Sequence, residues 1–184
     1  VKDINNGSGG GSPSELTAVG NTLYFRATDG TNGYELWKSD GTASGTMMVK
    51  DILSGGDGLS SSGGISFTAI GNTLYFRAND GTNGKELWKS DGTASGTVMV
   101  KDIRSGSDSS YPYDLTAVGN TLYFRAIDGT NGQELWKSDG TANGTMMVKD
   151  IYNGSGSSSL SQLTAVGNTL YFRADDGTNG QELW

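Results

Sequence analysis

The chain has no cysteine and no histidine among its 184 residues. Their absence removes disulfides, thiol nucleophiles, Cys/His zinc sites and every mechanism in which an imidazole moves a proton. A metal would have to be a hard cation held by oxygen, with Ca²⁺ the first candidate. An excess of positive charge is also missing: 13 Lys and Arg stand against 20 Asp and Glu, a net charge of −7, with the acids dispersed along the chain. Such a surface repels phosphate backbones, so no nucleic-acid partner is expected. No apolar run approaches the roughly 20 residues that span a membrane as a helix. The sequence opens Val1-Lys2-Asp3-Ile4, inside a repeat and without a signal peptide, and reads as part of a longer protein or an engineered derivative. Proline occurs only twice, at Pro13 and Pro112, whereas glycine occurs 30 times, the mark of many tight turns between short segments.

The dominant feature is a fourfold internal repeat. Val-Lys-Asp-Ile starts at Val1, Val49, Val100 and Val148, spacings of 48, 51 and 48 residues. Thr-Leu-Tyr-Phe-Arg-Ala starts at Thr22, Thr73, Thr121 and Thr169, and Glu-Leu-Trp at Glu35, Glu86, Glu134 and Glu182. The three extra residues of the second interval fall in the loop between Ile52 and Phe67. Each copy reads as four short strands joined by Gly-Asn, Asp-Gly-Thr-Asn-Gly and Asp-Gly-Thr turns, with no helical periodicity. The expected fold is all-β. Regular short strands at a fixed period near 48 point to a β-propeller of four-stranded antiparallel blades, four per chain. One repeat domain, 1–184, is expected, with blades at about 14–52, 65–103, 113–151 and 161–184 plus 1–4.

The hydrophobic pattern assigns faces. Leu16, Ala18, Leu23, Phe25, Trp37 and Met48 should share one face of the first blade, and Thr17, Tyr24, Arg26, Leu36, Met47 and Val49 the other. Two partly apolar faces suit a sheet stacked between neighbours rather than one with a wet side. The fourth copy has no counterpart of Lys38–Met48, so Val1–Ile4 is expected to pair beside Glu182–Trp184, close the last blade and hide both edges. On that register Glu35 faces Lys50, Glu86 faces Lys101, Glu134 faces Lys149, and Glu182 meets Lys2.

The run Glu35-Leu36-Trp37-Lys38-Ser39-Asp40-Gly41-Thr42 recurs at Glu86–Thr93 and Glu134–Thr141 and begins again at Glu182. It resembles the bacterial ELWxxDGT repeat family, and the likeness extends over the flanking segments to nearly the whole chain. The resemblance implies a large secreted or cell-surface bacterial protein, propeller-like tandem repeats and no defined catalytic activity.

Several residues are candidates for chemistry. Asp29 and Asn32, Asp80 and Asn83, Asp128 and Asn131, and Asp176 and Asn179 offer oxygen ligands for Ca²⁺ in each copy, although Asp-Gly and Asn-Gly equally serve tight turns. Arg26, Arg77, Arg125 and Arg173 sit mid-strand among apolar residues and require partners, for which Asp51, Asp102, Asp150 and Asp3 are at hand. Trp37, Trp88, Trp136 and Trp184 would stack on sugars or, sharing an apolar face, fill the space between blades. Positions that differ between copies, Tyr34, Lys85, Gln133 and Gln181, with Tyr111 and Tyr113 and the loop residues Leu53, Arg104 and Tyr152, are the candidate ligand-binding set.

No catalytic residue is identified and no cofactor is required, because every regularly placed carboxylate occurs four times. The expected role is a non-enzymatic structural or interaction module, extracellular or at the cell surface, with an unknown protein or glycan ligand. Two alternatives stand beside it: a multivalent, lectin-like carbohydrate binder, and a homo-oligomeric ring or filament built by strand exchange through the open chain ends.

Overall fold

The computed structural model of the chain describes residues 1–60 and 66–184, and these fold as fifteen strands with no helix. The first sheet holds β1 (Ser14–Val19), β2 (Thr22–Thr28), β3 (Tyr34–Ser39) and β4 (Met47–Lys50). The second holds β5 (Thr68–Ile70), β6 (Thr73–Asn79), β7 (Lys85–Ser90) and β8 (Val98–Lys101). The third holds β9 (Tyr113–Val118), β10 (Thr121–Ile127), β11 (Gln133–Ser138) and β12 (Met146–Lys149). The fourth has three strands, β13 (Ser161–Val166), β14 (Thr169–Asp175) and β15 (Gln181–Leu183). Every sheet is an antiparallel meander in chain order. The loop expected to carry the three extra residues, and the expected start of the second unit at Ile65, lie partly or wholly outside the described residues.

Local chemistry explains the meander. Gly20 takes φ +58 between Val19 and Thr22, which pair with each other, as the first position of a two-residue hairpin turn demands. Between β3 and β4 the ladder carries a bulge: Leu36 pairs with Lys50 but Trp37 with Met48. Val49 is therefore the additional residue, and both Val49 and Lys50 turn toward the following sheet. This corrects the expected register by one, since Lys50 stands opposite Leu36 and not Glu35. The same bulge recurs where Leu87 pairs with Lys101 and Leu135 with Lys149.

Successive sheets pack face to face. Tyr24, Leu36 and Val49 from the back of the first sheet form one cluster with Leu74, Phe76 and Trp88 from the front of the second. Tyr75, Leu87 and Val100 meet Leu122, Phe124 and Trp136 in the same way, and Leu135 and Ile151 meet Phe172 and Ala174. The expected faces match these clusters: Phe25, Trp37 and Met48 lie together, apart from Tyr24, Leu36 and Val49. The first strands of the sheets also touch in series, β1 with β5, β5 with β9 and β9 with β13. The result is a row of blade-like sheets drawn together along one side.

The expected closure of the last sheet by the first residues is not present. Val1–Ile4 is not a strand, and β15 has no partner on its outer side among the described residues. Ile4 instead packs against Phe25, Ala27 and Trp37 of the first sheet, and Lys2 Nζ donates to Thr46 O at 2.9 Å. The fourth sheet is not on the other side of this segment: Leu183 is 76% exposed and Val166 60%. Four sheets stacked at these interfaces do not bring the last one round to the first.

Candidate functional site at the junctions between sheets

The repeated motif is spent on joining one sheet to the next. Glu35, Glu86 and Glu134 are each 0% exposed, yet none forms an ion pair among the described residues. Their carboxylates accept main-chain hydrogen bonds from the connecting loop that follows. Glu35 takes Ile52 N (3.0 Å), Gly58 N (2.9 Å) and Leu53 N (3.3 Å). Glu86 takes Ile103 N (3.0 Å), Ser110 N (2.8 Å) and the Ser110 hydroxyl (2.6 Å), and Glu134 takes Ile151 N (3.0 Å) and Ser158 N (3.1 Å). A loop folded against a sheet without a ladder of its own leaves buried amide donors to satisfy, and a buried carboxylate fills the need. Burial pushes the carboxyls of Glu35 and Glu86 up to about 7, against the pull of these donors, and raises that of Glu134 as well.

Glycine permits the close approach. A β-carbon at Gly33 would run into the carbonyl of Gly56, and one at Gly84 into that of Asp108. The docked loop then continues the ladder of the next sheet, where Gly58 O, Ser110 O and Ser158 O accept Asn79 N, Ile127 N and Asp175 N.

The remaining motif residues complete the junction. Lys38 Nζ donates to Gly92 O (2.8 Å) and Lys89 Nζ to Gly140 O (2.8 Å), so each lysine reaches the Asp-Gly-Thr turn of the following sheet. Lys50 and Lys101 reach Thr97 O and Thr145 O, both at 2.8 Å. Within the turn, Asp40 Oδ1 accepts Thr42 N (2.9 Å) and the Thr42 hydroxyl (2.7 Å) and so caps it. Hydrogen bonds from Thr42 hold the Asp40 carboxyl below its ordinary value. Trp88 and Trp136 are buried in the interfaces between sheets and Trp37 beside Ile4 on the front of the first, with Lys50 lying 5.6 Å from the Trp88 ring centroid.

The calcium candidates occupy four equivalent turns. Asp29 Oδ1 accepts Thr31 N and Asn32 N, both at 2.9 Å, and Oδ2 accepts Asn32 Nδ2 at 2.7 Å. Asp80 with Asn83, Asp128 with Asn131 and Asp176 with Asn179 repeat the pattern. Each asparagine thus turns its nitrogen, not its oxygen, toward the aspartate. Backbone donation from Asn32 and then Thr31 lowers the Asp29 carboxyl. Among the described residues no three acidic side chains gather into a group able to hold a metal ion.

The ligand-binding candidates are distributed unequally. Tyr34 stacks under the Arg26 guanidinium, 3.4 Å from ring centroid to Cζ, and Gln133 Oε1 accepts Arg125 Nη1 at 3.2 Å. Tyr111 and Tyr113 stack with centroids 6.3 Å apart, Lys85 lies over Tyr111 (5.8 Å), and Tyr113 has Arg77 (4.4 Å) and Arg125 (5.1 Å) above its ring. Lys85, Tyr111 and Tyr113 therefore meet at one junction, while Tyr34 and Gln133 serve the arginines of their own sheets and Gln181 is exposed in the fourth. Among the described residues Arg26, Arg125 and Arg173 do not find the expected aspartates. Arg26 donates to Leu59 O (2.6 Å), Arg125 pairs with Asp114 (2.9 Å) and Arg173 donates to the Ser161 hydroxyl (3.1 Å). Asp102 and Asp150 instead accept Gly106 N and Gly154 N in their own loops. The sequence set the junction glutamates opposite lysines and did not point to the loop amides; the signal for these was one Glu per copy, fixed between a glycine turn and the apolar Leu-Trp pair.

No protein-family model matches the chain, and no curated protein does. Among solved structures it is similar to a chain from a study of two prolyl endopeptidases and the role of inter-domain dynamics in their catalysis and specificity. That likeness has 15% identity and a TM-score of 0.48, and it covers 90% of this chain and 24% of the other. The chain thus spans about a quarter of the length of that structure.

Proposed function

We propose that the chain is an arc of β-propeller blades serving as a non-enzymatic structural and interaction module, in the secreted or cell-surface bacterial setting that its ELWxxDGT resemblance implies. The observation that carries the reading is the occupation of its charged motif residues. Glu35, Glu86 and Glu134 are saturated by loop amides, and Lys38, Lys89, Lys50 and Lys101 by carbonyls of the next sheet. Copy-to-copy differences gather in the connecting loops, at Leu53, Arg104 and Tyr152, as suits a platform whose rim changes while its joints do not. The test is a panel of chromogenic glycoside, ester and peptide substrates. No turnover is expected; turnover abolished by replacing a single carboxylate would overturn the reading.

The stacked Tyr111 and Tyr113, with Lys85, Arg77 and Arg125 around them, favour a second reading, a carbohydrate-binding platform for acidic sugars at one junction. Saturable binding of a uronic-acid or sulfated oligosaccharide, lost in Tyr111→Ala, would support it.

A further inference from the structure

The residue at the head of the third strand of each sheet decides how that sheet's arginine is held. Tyr34 stands opposite Thr28, Lys85 opposite Asn79 and Gln133 opposite Ile127, so the three places are equivalent. Tyr34 offers its ring to Arg26, 3.4 Å from centroid to Cζ, and Gln133 Oε1 accepts Arg125 Nη1 at 3.2 Å. Lys85 can do neither, because an ammonium accepts no hydrogen bond and carries the same charge as the guanidinium. Arg77, 3% exposed, takes instead the ring of Tyr113 from the following sheet, at 4.4 Å. The Lys85 ammonium lies 5.8 Å from the centroid of Tyr111.

The third copy supplies both rings at places where the first and fourth carry serine. Tyr113 pairs with Arg125 as Ser14 pairs with Arg26 and Ser161 with Arg173. Those serine hydroxyls accept hydrogen bonds from their arginines, at 3.5 and 3.1 Å. Tyr111 stands two residues earlier at φ +49, the left-handed conformation that Ser12 (+45) and Ser159 (+50) also adopt. That backbone is unfavourable for a bulky aromatic residue, and burial does little to offset it, since Tyr111 is 37% exposed. The planes of the two tyrosines are inclined by only 4°, so their faces are parallel. The fold is built without this pair of rings in its other sheets, and a strained, exposed aromatic side chain points to a ligand.

The cations of this junction are not equivalent. Arg125 is committed to Asp114 (2.9 Å), Gln133 (3.2 Å) and Leu160 O (3.3 Å), and Arg77 is buried against Tyr113. We propose that Lys85 is the specificity-determining residue of this site: a hexuronate ring stacks on Tyr111, and its carboxylate accepts a hydrogen bond from Lys85 Nζ. The inference rests on the carbohydrate reading and deepens it, by narrowing the ligand to a glycan read through one carboxylate. The two arginines hold Tyr113 and leave the acid group to the lysine. An ammonium is a compact point charge suited to a single carboxylate, and a tyrosine face is suited to the C–H face of a pyranose.

The test is titration calorimetry of the whole chain with three probes. They are a galacturonic acid trisaccharide, its methyl ester, which keeps the rings and removes the charge, and a sulfated oligosaccharide of the same length. The acid is expected to bind the native chain about 10-fold more tightly than the ester, the ratio for one charge-assisted hydrogen bond. In Lys85→Gln that ratio should fall to about 1 with the affinity for the ester unchanged, whereas Tyr111→Ala should lose both ligands. Glutamine already fills the equivalent place in the third copy. The junction contacts at this position are main-chain, Lys85 N donating to Ser109 Oγ and Lys85 O accepting Tyr111 N, so the variant keeps the fold, which circular dichroism checks. Equal affinity for acid and ester, or a preference that persists in Lys85→Gln, overturns the inference and leaves the carbohydrate reading standing. So does binding of the sulfated probe alone. Binding of none of the three by the native chain removes the carbohydrate reading and the inference together.

Discussion

Glu86 and Glu182 share the sequence Gln/Lys-Glu-Leu-Trp and the same place in their strands, yet one is wholly buried and the other lies in solvent. Nothing local distinguishes them. The difference is the presence of a loop with its amides and of a following sheet, so the environment of a repeat residue belongs to the junction and not to the repeat. The molecule accordingly carries an internal control, a set of side chains present both with and without their partner. The same substitution made at both sites measures the junction alone.

The largest contrast is expected for leucine. Leu87→Ala should destabilise by about 3 kcal/mol, the range for a fully buried Leu, while Leu183→Ala stays within roughly 0.5 kcal/mol in dilute solution, both read by chemical denaturation. Next comes the glutamate. Glu86→Gln leaves either Ile103 N or Ser110 N facing a donor, a loss of about 2 kcal/mol; Glu182→Gln should leave the melting transition unmoved.

The carboxyls of Glu35 and Glu86 add a pH dependence. Their values rise from 4.5 to about 7 on folding through burial. The folded state therefore holds more protons than the unfolded between those limits. Stability from these groups is fully present below pH 4.5 and is lost as the pH rises through 7. Denaturation midpoints measured across that interval should fall with rising pH, and less steeply in Glu86→Gln. The smallest contrast is at the lysines: Lys89→Met removes the bond to Gly140 O and should lower stability by about 1 kcal/mol, against no change for Lys137→Met. Equal losses at both lysines would show that the bond to the next turn contributes nothing.

Strands, turns and faces were legible because each rests on neighbours in sequence. Gly20-Asn21 names its own hairpin, and the alternation of Tyr24, Phe25 and Arg26 assigns their sides. The bulge at Leu36 and Trp37 was not legible, since the pairing of Glu35 with Lys50 satisfies charge equally well on paper. Nor was the fate of Arg26, which takes a carbonyl from Leu59, 33 residues away, and a ring from Tyr34. Main-chain acceptors carry no letter in the sequence. The same holds for Glu35, whose partners are amides of Ile52, Leu53 and Gly58. The closing of the last sheet by Val1–Ile4 failed for a different reason: the pairing rule was sound, but whether four stacked sheets come full circle depends on the turn between sheets, which no single repeat encodes.

The links made by Glu35 and Glu134, and by Lys38 and Lys89, end on peptide groups, and Glu86 adds only the Ser110 hydroxyl to its two amides. A substitution in the loop changes a side chain and leaves its amide and carbonyl where they were. Leu53, Arg104 and Tyr152 can therefore drift apart among copies without loosening a joint, and duplication of a unit delivers a new copy whose couplings already fit. Mutational freedom at the rim and heritable growth by whole units both follow from a bond that does not read the side chain it fastens.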